Sequence, residues 1–364
     1  MSIDTGLYRR TFRGSEAVAT DELLFSSDSH VMEPEDSVAS RVPTAFRDQA
    51  PRYPKRELGD GFQAHPGGSD PNARLKEMAV DGVSAEVLYP TNSLGLFQME
   101  DAALQEACCQ AYNDWLIEYC QADLSRLVGV PMIATYNIDK AVAELERCTK
   151  AGLRGGLIWQ VTPKELSFTT DHYDPFWAAA QDLGAPVSVH ILTGFGYAKY
   201  RENRKGIDRY RGSVNLKLAE ITDSLMDIIF SGVLERFPRL KIVLVENEIG
   251  WLPYVLEQWD YYFDRHRKTE PLTIDKLPSE YFNRQVFATF FNDSVGAHNL
   301  VWWGSDNCMW SNDFPHANST WPHSRDVVAR DLGHLPADVR AKLLRENVAR
   351  LYDMPIPEVM PAGQ

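Results

Sequence analysis

Basic charge is what this chain has least of: 37 Lys and Arg stand against 51 Asp and Glu, a formal net charge of -14 over 364 residues. That balance speaks against a nucleic-acid partner, whose phosphates demand clustered cations. No apolar run approaches the roughly 18 residues that a membrane-crossing helix needs, so no membrane partner is expected. The opening MSIDTGLYRRTFRGSEAVATDE has no apolar segment of the kind a secretory signal carries. Cysteine is sparse: Cys108, Cys109, Cys120, Cys148 and Cys308 make an odd set without a C-x-x-C pair. A disulfide framework is therefore not expected, and reduced thiols in a cytoplasmic setting are. The adjacent Cys108-Cys109 falls in a helical pattern and reads as core packing. Nothing in the chain suggests a flavin or nicotinamide site, and no sequence repeat occurs.

What is present is an alternation of short apolar strands and helices. Helices are expected over 73–80, 101–122, 138–151, 174–183, 217–237, 251–266 and 336–352. Strands are expected from residue 23 and over 85–90, 127–132, 155–159, 186–190, 240–245, 286–290 and 300–303. About eight such units imply a parallel sheet covered by helices, closed as an α/β (β/α)8 TIM barrel, with a doubly wound sheet as the other solution. The expected domains are an N-terminal arm, 1–22, a barrel, 23–355, and a tail, 356–364. A long Pro- and Gly-rich loop inserted after strand 1 occupies 42–72.

Asp28 and His30, two apart after Leu23-Leu24-Phe25, point to one side of an extended strand. His190 closes the strand Ala185-Pro186-Val187-Ser188-Val189, and Asp313 lies in Asn312-Asp313-Phe314-Pro315-His316. Two imidazoles and two carboxylates suit a divalent zinc, iron or manganese ion better than magnesium or calcium. Each residue also has a plain structural role open to it: Asp28 as a cap, His190 as a hydrogen-bonded core histidine, Asp313 as a turn residue.

Several stretches resemble the amidohydrolase-related (amidohydrolase 2) branch of the amidohydrolase superfamily. They are Asp28-Ser29-His30-Val31-Met32-Glu33-Pro34, Asp81-Gly82-Val83 through Leu88-Tyr89-Pro90, and His190. Further on come Phe230 to Pro238, Gly250-Trp251-Leu252-Pro253 and Met309 to His316. The resemblance implies a metal at the C-terminal mouth of a barrel, with Asp28, His30, His190 and Asp313 as ligands and Asp313 as acid or base. Asp306, in Gly304-Ser305-Asp306-Asn307, is the lesser candidate for that aspartate.

The chain departs from better-known members after strand 6, where Glu246-Asn247-Glu248 stands in place of a histidine. Glu246 is expected either to orient His190 or to hold a second metal, with Glu33 and His316 as further candidate ligands. Three readings follow. The first is a metal-dependent hydrolase or decarboxylase acting on a small carboxylate-bearing or aromatic substrate. The second is a dinuclear oxygenase with two iron or manganese ions, which would need an external reductase or ferredoxin. The third is a catalytically silent partner subunit. Tyr89, Trp159 and Trp310 are candidate substrate contacts, with Phe195, Tyr197 and Trp302 also at the expected mouth. The basic run from Arg201 to Arg211 reads as a solvated surface or a lure for a carboxylate. The resemblance also implies a homo- or hetero-oligomer.

Overall fold

A computed structural model of the chain describes residues 22–54, 65–196 and 216–357. Eight parallel strands carry the architecture: β1 (Leu24–Val31), β2 (Val83–Pro90), β3 (Leu127–Gly129), β4 (Gly156–Ile158), β5 (Val187–His190), β6 (Ile242–Val245), β7 (Val286–Phe290) and β8 (Cys308–Trp310). Strands β1 to β3 pair in sequence order, as do β4 to β8. The first gap is bridged by Met132 against Leu157. The second is closed by backbone hydrogen bonds, Asp313 N to the Asp28 carbonyl (3.1 Å) and His30 N to the Phe314 carbonyl (2.7 Å). The strands thus form a closed α/β barrel, with helices between them, and one continuous apolar core fills it.

Strands buried on both faces normally read as unbroken apolar runs. β6, Ile-Val-Leu-Val, does so, but β1 is Leu-Phe-Ser-Ser-Asp-Ser-His-Val and every one of its residues is buried. The serines are satisfied locally. Ser27 Oγ donates to the carbonyls of Met309 and Trp310, and Ser29 Oγ donates to Ser26 Oγ and to Asn312 Oδ1. They stitch β1 to β8 and to the segment that follows it, between which no strand ladder is formed.

Helix α1 (Pro71–Asp81) begins with Asp70 accepting from the amides of Asn72 and Ala73, and with Pro71 in the first turn. It ends at Gly82, left-handed at φ 73°, where a Cβ would lie 2.3 Å from the Arg325 Nε. The next helices, α2 (Ala102–Cys120), α3 (Ile138–Lys150) and α4 (Asp174–Leu183), occupy the expected spans. The five thiols are free and buried; burial pushes Cys108 up to about 11, and the other four also rise, which leaves them unreactive.

Several elements differ from the sequence reading. The run expected as a strand over 300–303 is the end of a helix, Ser294–Trp303, and the last strand is Cys308–Trp310. A short apolar run does not by itself distinguish strand from helix, and here Asp293 caps the Gly296 amide at 2.7 Å to start the helix. The helix expected over 217–237 ends at Phe230, because Gly232 turns left-handed at φ 79° before a short turn, Val233–Arg236. Two short helices, Pro278–Gln285 and Ser324–Leu332, were not expected. The closing helical stretch over 337–352 carries a π-turn at Lys342–Glu346. Residues 1–21 of the expected arm, 55–64 of the inserted loop and 358–364 of the tail lie outside the described residues, as does the basic run from Arg201 to Arg211. Among the described residues, no helix is long and apolar enough to cross a membrane.

Replacing Gly82 by Val places a branched side chain at positive φ against Arg325. The expected cost is about 1–2 kcal/mol, read as a lower urea midpoint at unchanged slope. An unchanged midpoint would show that the turn is not strained.

Candidate metal centre

Asp28 and His30 leave β1 on the same side, His190 ends β5, and Glu246 follows β6 directly; all four are buried. One donor atom from each lies within 4.8 Å of the others. His30 Nε2 is 3.4 Å from Asp28 Oδ1, and His190 Nε2 is 3.8 Å from Asp28 Oδ1 and 3.8 Å from Glu246 Oε2. A second group, His30, Glu246, Asp313 and His316, meets the same 4.8 Å limit. Asp313 Oδ1 is 3.5 Å from His30 Nε2 and 2.8 Å from His316 Nδ1.

The backbone sets the ring nitrogens. His30 Nδ1 donates to the Pro90 carbonyl at 2.8 Å, and His190 Nδ1 donates to the Ile191 carbonyl at 2.7 Å. In each ring the Nε2 lone pair therefore faces inward, the tautomer a metal ligand needs. Among the described residues, neither Nε2 and neither carboxylate oxygen of Asp28 has a hydrogen-bond partner, although all four atoms are buried. Buried polar atoms left in that state are costly, and a divalent cation satisfies all of them together. The two groups share His30 and Glu246, and His30 has one inward lone pair, so His30 can serve a single ion.

The carboxylate and the imidazoles also shift one another. Burial would raise Asp28, but the His30 and His190 rings beside it hold it well below the usual carboxylate range. Burial would lower His190, and the Asp28 carboxylate raises it instead. Burial pushes His316 down to about 4, so this ring is neutral near pH 7. Its Nδ1 faces Asp313, its Nε2 lies 3.1 Å from Thr91 Oγ1, and the ring stacks on His30 at 3.8 Å.

Two of the acidic residues sit on unusual backbone. Asp313 has φ 55° and Glu246 φ 59°, left-handed values that aim their side chains off the regular strand direction. The Glu246 amide donates to Thr289 Oγ1 at 2.9 Å, and Asp293 accepts from the amides of Ile249 and Gly250. Loop 246–250 is thereby fastened to the end of β7.

The remaining expected residues fall elsewhere. Glu33 is not among the grouped donors. Its two oxygens accept from the amides of Asn92 and Ser93, both at 2.9 Å, so it pins the loop after β2, as a carboxylate can do wherever backbone donors are exposed. Tyr89 packs beside both His30 and His190, and its hydroxyl is paired with Ser188 and Tyr352. Trp159 is buried against Tyr136 and Phe195 and donates its indole N–H to Tyr173. Trp310 is buried on β8 with its indole N–H unpaired. Asp306 pairs with Lys342 at the surface. Tyr197 and the Trp302 side chain lie outside the described residues. The sequence reading missed Asn312 as a joint: it accepts from Ser29 and from the Phe314 amide, and its own amide is bonded by Ser26. No spacing rule marks such a residue, because its partners are 283 and 286 positions away.

A protonated His190 cannot act as a ligand. Because its affinity for the proton is raised in the metal-free site, manganese binding is expected to weaken as pH falls below that raised value and to strengthen above it, with proton release on binding. Calorimetric titration between about pH 6 and about pH 8.5, on either side of histidine's ordinary range, in buffers of different ionisation enthalpy checks this. Affinity independent of pH over that window would exclude His190 as a ligand.

The chain matches the amidohydrolase family model (Amidohydro_2) over residues 28–354. It is 24% identical over 262 residues to the gamma-resorcylate decarboxylase of Polaromonas sp. (strain JS666), covering 67% of this chain and 77% of that protein. The crystal structure of 5-carboxyvanillate decarboxylase from Sphingomonas paucimobilis superposes with a TM-score of 0.70 at 22% identity, covering 92% of this chain and 99% of that one. A dihydroxybenzoic acid decarboxylase from Polaromonas sp. JS666, solved with bound manganese and 2-nitroresorcinol, gives 0.67 at 20% identity, covering 91% and 97%. With its barrel closed, its buried donors converging at the strand ends and nearly all of its described length matched, the chain belongs to the amidohydrolase family.

Proposed function

We propose that this protein is a metal-dependent decarboxylase of small aromatic carboxylates. The observation that carries the reading is the set of inward, unbonded donor atoms on Asp28, His30 and His190, with Asp313 beside them. The related proteins named above, decarboxylases of gamma-resorcylate, 5-carboxyvanillate and dihydroxybenzoic acid, support it in kind. They lend no support to the oxygenase alternative.

Asp28, His30 and His190 would hold one divalent ion, with Glu246 as the fourth donor. When bound, that ion supplies Lewis acidity toward the carboxylate of the substrate and an adjacent ring oxygen. The rest is done by the chain itself. Asp313, in its carboxylic acid form, delivers a proton to the ring carbon that bears the carboxylate. A ring π pair forms the new C–H bond; the C–C bond then breaks, its electron pair returns to the ring and restores aromaticity, and carbon dioxide leaves. Asp313 then regains a proton through the neutral His316, whose two nitrogens connect it to the partly exposed Thr91 hydroxyl. The five buried, unreactive thiols fit a reducing cytoplasm.

Manganese-loaded protein is expected to release carbon dioxide from 2,6-dihydroxybenzoate or 5-carboxyvanillate without oxygen, and Asp313→Asn to lower the rate by about 10²–10⁴. Oxygen uptake with a reductant, and no carbon dioxide from any aromatic acid in a panel, would return the protein to the oxygenase class.

A further inference from the structure

Arg74 is an arginine with no exposed surface, and neither the metal centre nor its expected ligands account for it. It sits in the first turns of α1. Its Nε donates to Glu86 Oε2 at 2.5 Å, its Nη1 to the His30 carbonyl at 2.7 Å, and its Nη2 to the Phe314 carbonyl at 3.4 Å. The guanidinium carbon also lies 4.5 Å from the centre of the Phe314 ring. The two carbonyls belong to His30 itself and to the residue following Asp313. They come from opposite ends of the chain, across the gap where β8 and β1 share no strand ladder.

Seven residues further along, and so on the same face of the helix, Asp81 accepts from Ser324 Oγ at 2.5 Å and from Asn312 Nδ2 at 3.3 Å. Helix α1 therefore grips the joint between β1 and the post-β8 segment at two points. Asp81 takes hold beside Asp313, and Arg74 spans both sides.

We propose that Arg74 is a positioning residue of the metal centre. By tying the His30 and Phe314 carbonyls together, it fixes His30 Nε2 toward the ion and keeps the Asp313 carboxyl beside it, 3.5 Å from that nitrogen. The inference rests on the metal-dependent reading above. A positive charge alone would serve to neutralise Glu86, and lysine supplies that. Two carbonyls and a carboxylate reached in three fixed directions need the planar fork of a guanidinium, which lysine lacks. The stacking on Phe314 keeps the fork flat against the segment that carries Asp313.

The test compares wild type with Arg74→Lys and with the double variant Arg74→Met/Glu86→Leu, which removes both charges together. For each, the thermal midpoint without metal and the manganese dissociation constant are measured, with Arg239→Lys on the surface as a control. The expected result is a midpoint close to wild type for Arg74→Lys with a dissociation constant raised about 10- to 100-fold, and a similar rise in the double variant. Manganese affinity within twofold of wild type in either folded variant overturns the proposal. So does loss of folding in Arg74→Lys, which would make the residue purely structural. A wild-type protein that binds no manganese, zinc or iron overturns the metal-centre reading, and this inference with it.

Discussion

His30 and His190 bring their Nε2 atoms to 3.4 and 3.8 Å from Asp28 Oδ1 at sites without solvent exposure. Glu246 and Asp313 add further carboxylates to the same small volume. Removing these groups from water is expensive, and their mutual contacts at such distances are too long to be good hydrogen bonds. A cation at the centre turns the cost into attraction. Much of the surrounding structure follows from this requirement. The Nδ1 atoms are committed to backbone carbonyls so that Nε2 faces inward, and backbone at Asp313 and Glu246 is bent into left-handed conformations to bring their carboxylates around.

The price appears in β1. A strand buried on both faces carries Ser26, Ser27, Asp28, Ser29 and His30 where other strands of the barrel carry Val, Leu and Ile. Apolar packing cannot close the barrel there. Closure is taken over by serine hydroxyls, the Asn312 side chain and two backbone hydrogen bonds, with α1 fastened over the joint through Arg74 and Asp81. Polar closure is directional, and a directional joint holds ligand geometry better than a greasy one. One of the two seams of the sheet that lack a strand ladder thus carries two of the candidate ligands.

The glutamate after β6 sets this member of the family apart. Glu246 puts a carboxylate where the pattern that the sequence resembles has a histidine. Its loop is held by Thr289 and Asp293, which fixes the carboxylate 3.8 Å from His190. A site with one more carboxylate binds a divalent ion in a more negative field, and it offers the substrate carboxylate less electrostatic welcome.

Much was legible in the sequence. The alternation of short apolar strands and capped helices implied the barrel, because β and α periodicities differ and each element must bury one face. Asp28, His30 and His190 announced themselves by standing at the ends of apolar strands, where polar residues have no packing reason to be. What the sequence could not decide depended on distance through space. The run at Leu300–Trp303 satisfies either secondary structure until Asp293 caps it. Glu33 has the right chemistry for a ligand, and only the fold sets the Asn92 and Ser93 amides against it. Arg74, like any arginine on a helix, looks solvent-facing until β1 and the segment after β8 are drawn together beneath it. Local pattern determines elements, whereas ligands and their supports are selected by contacts between residues hundreds of positions apart, and these exist only once the barrel has closed.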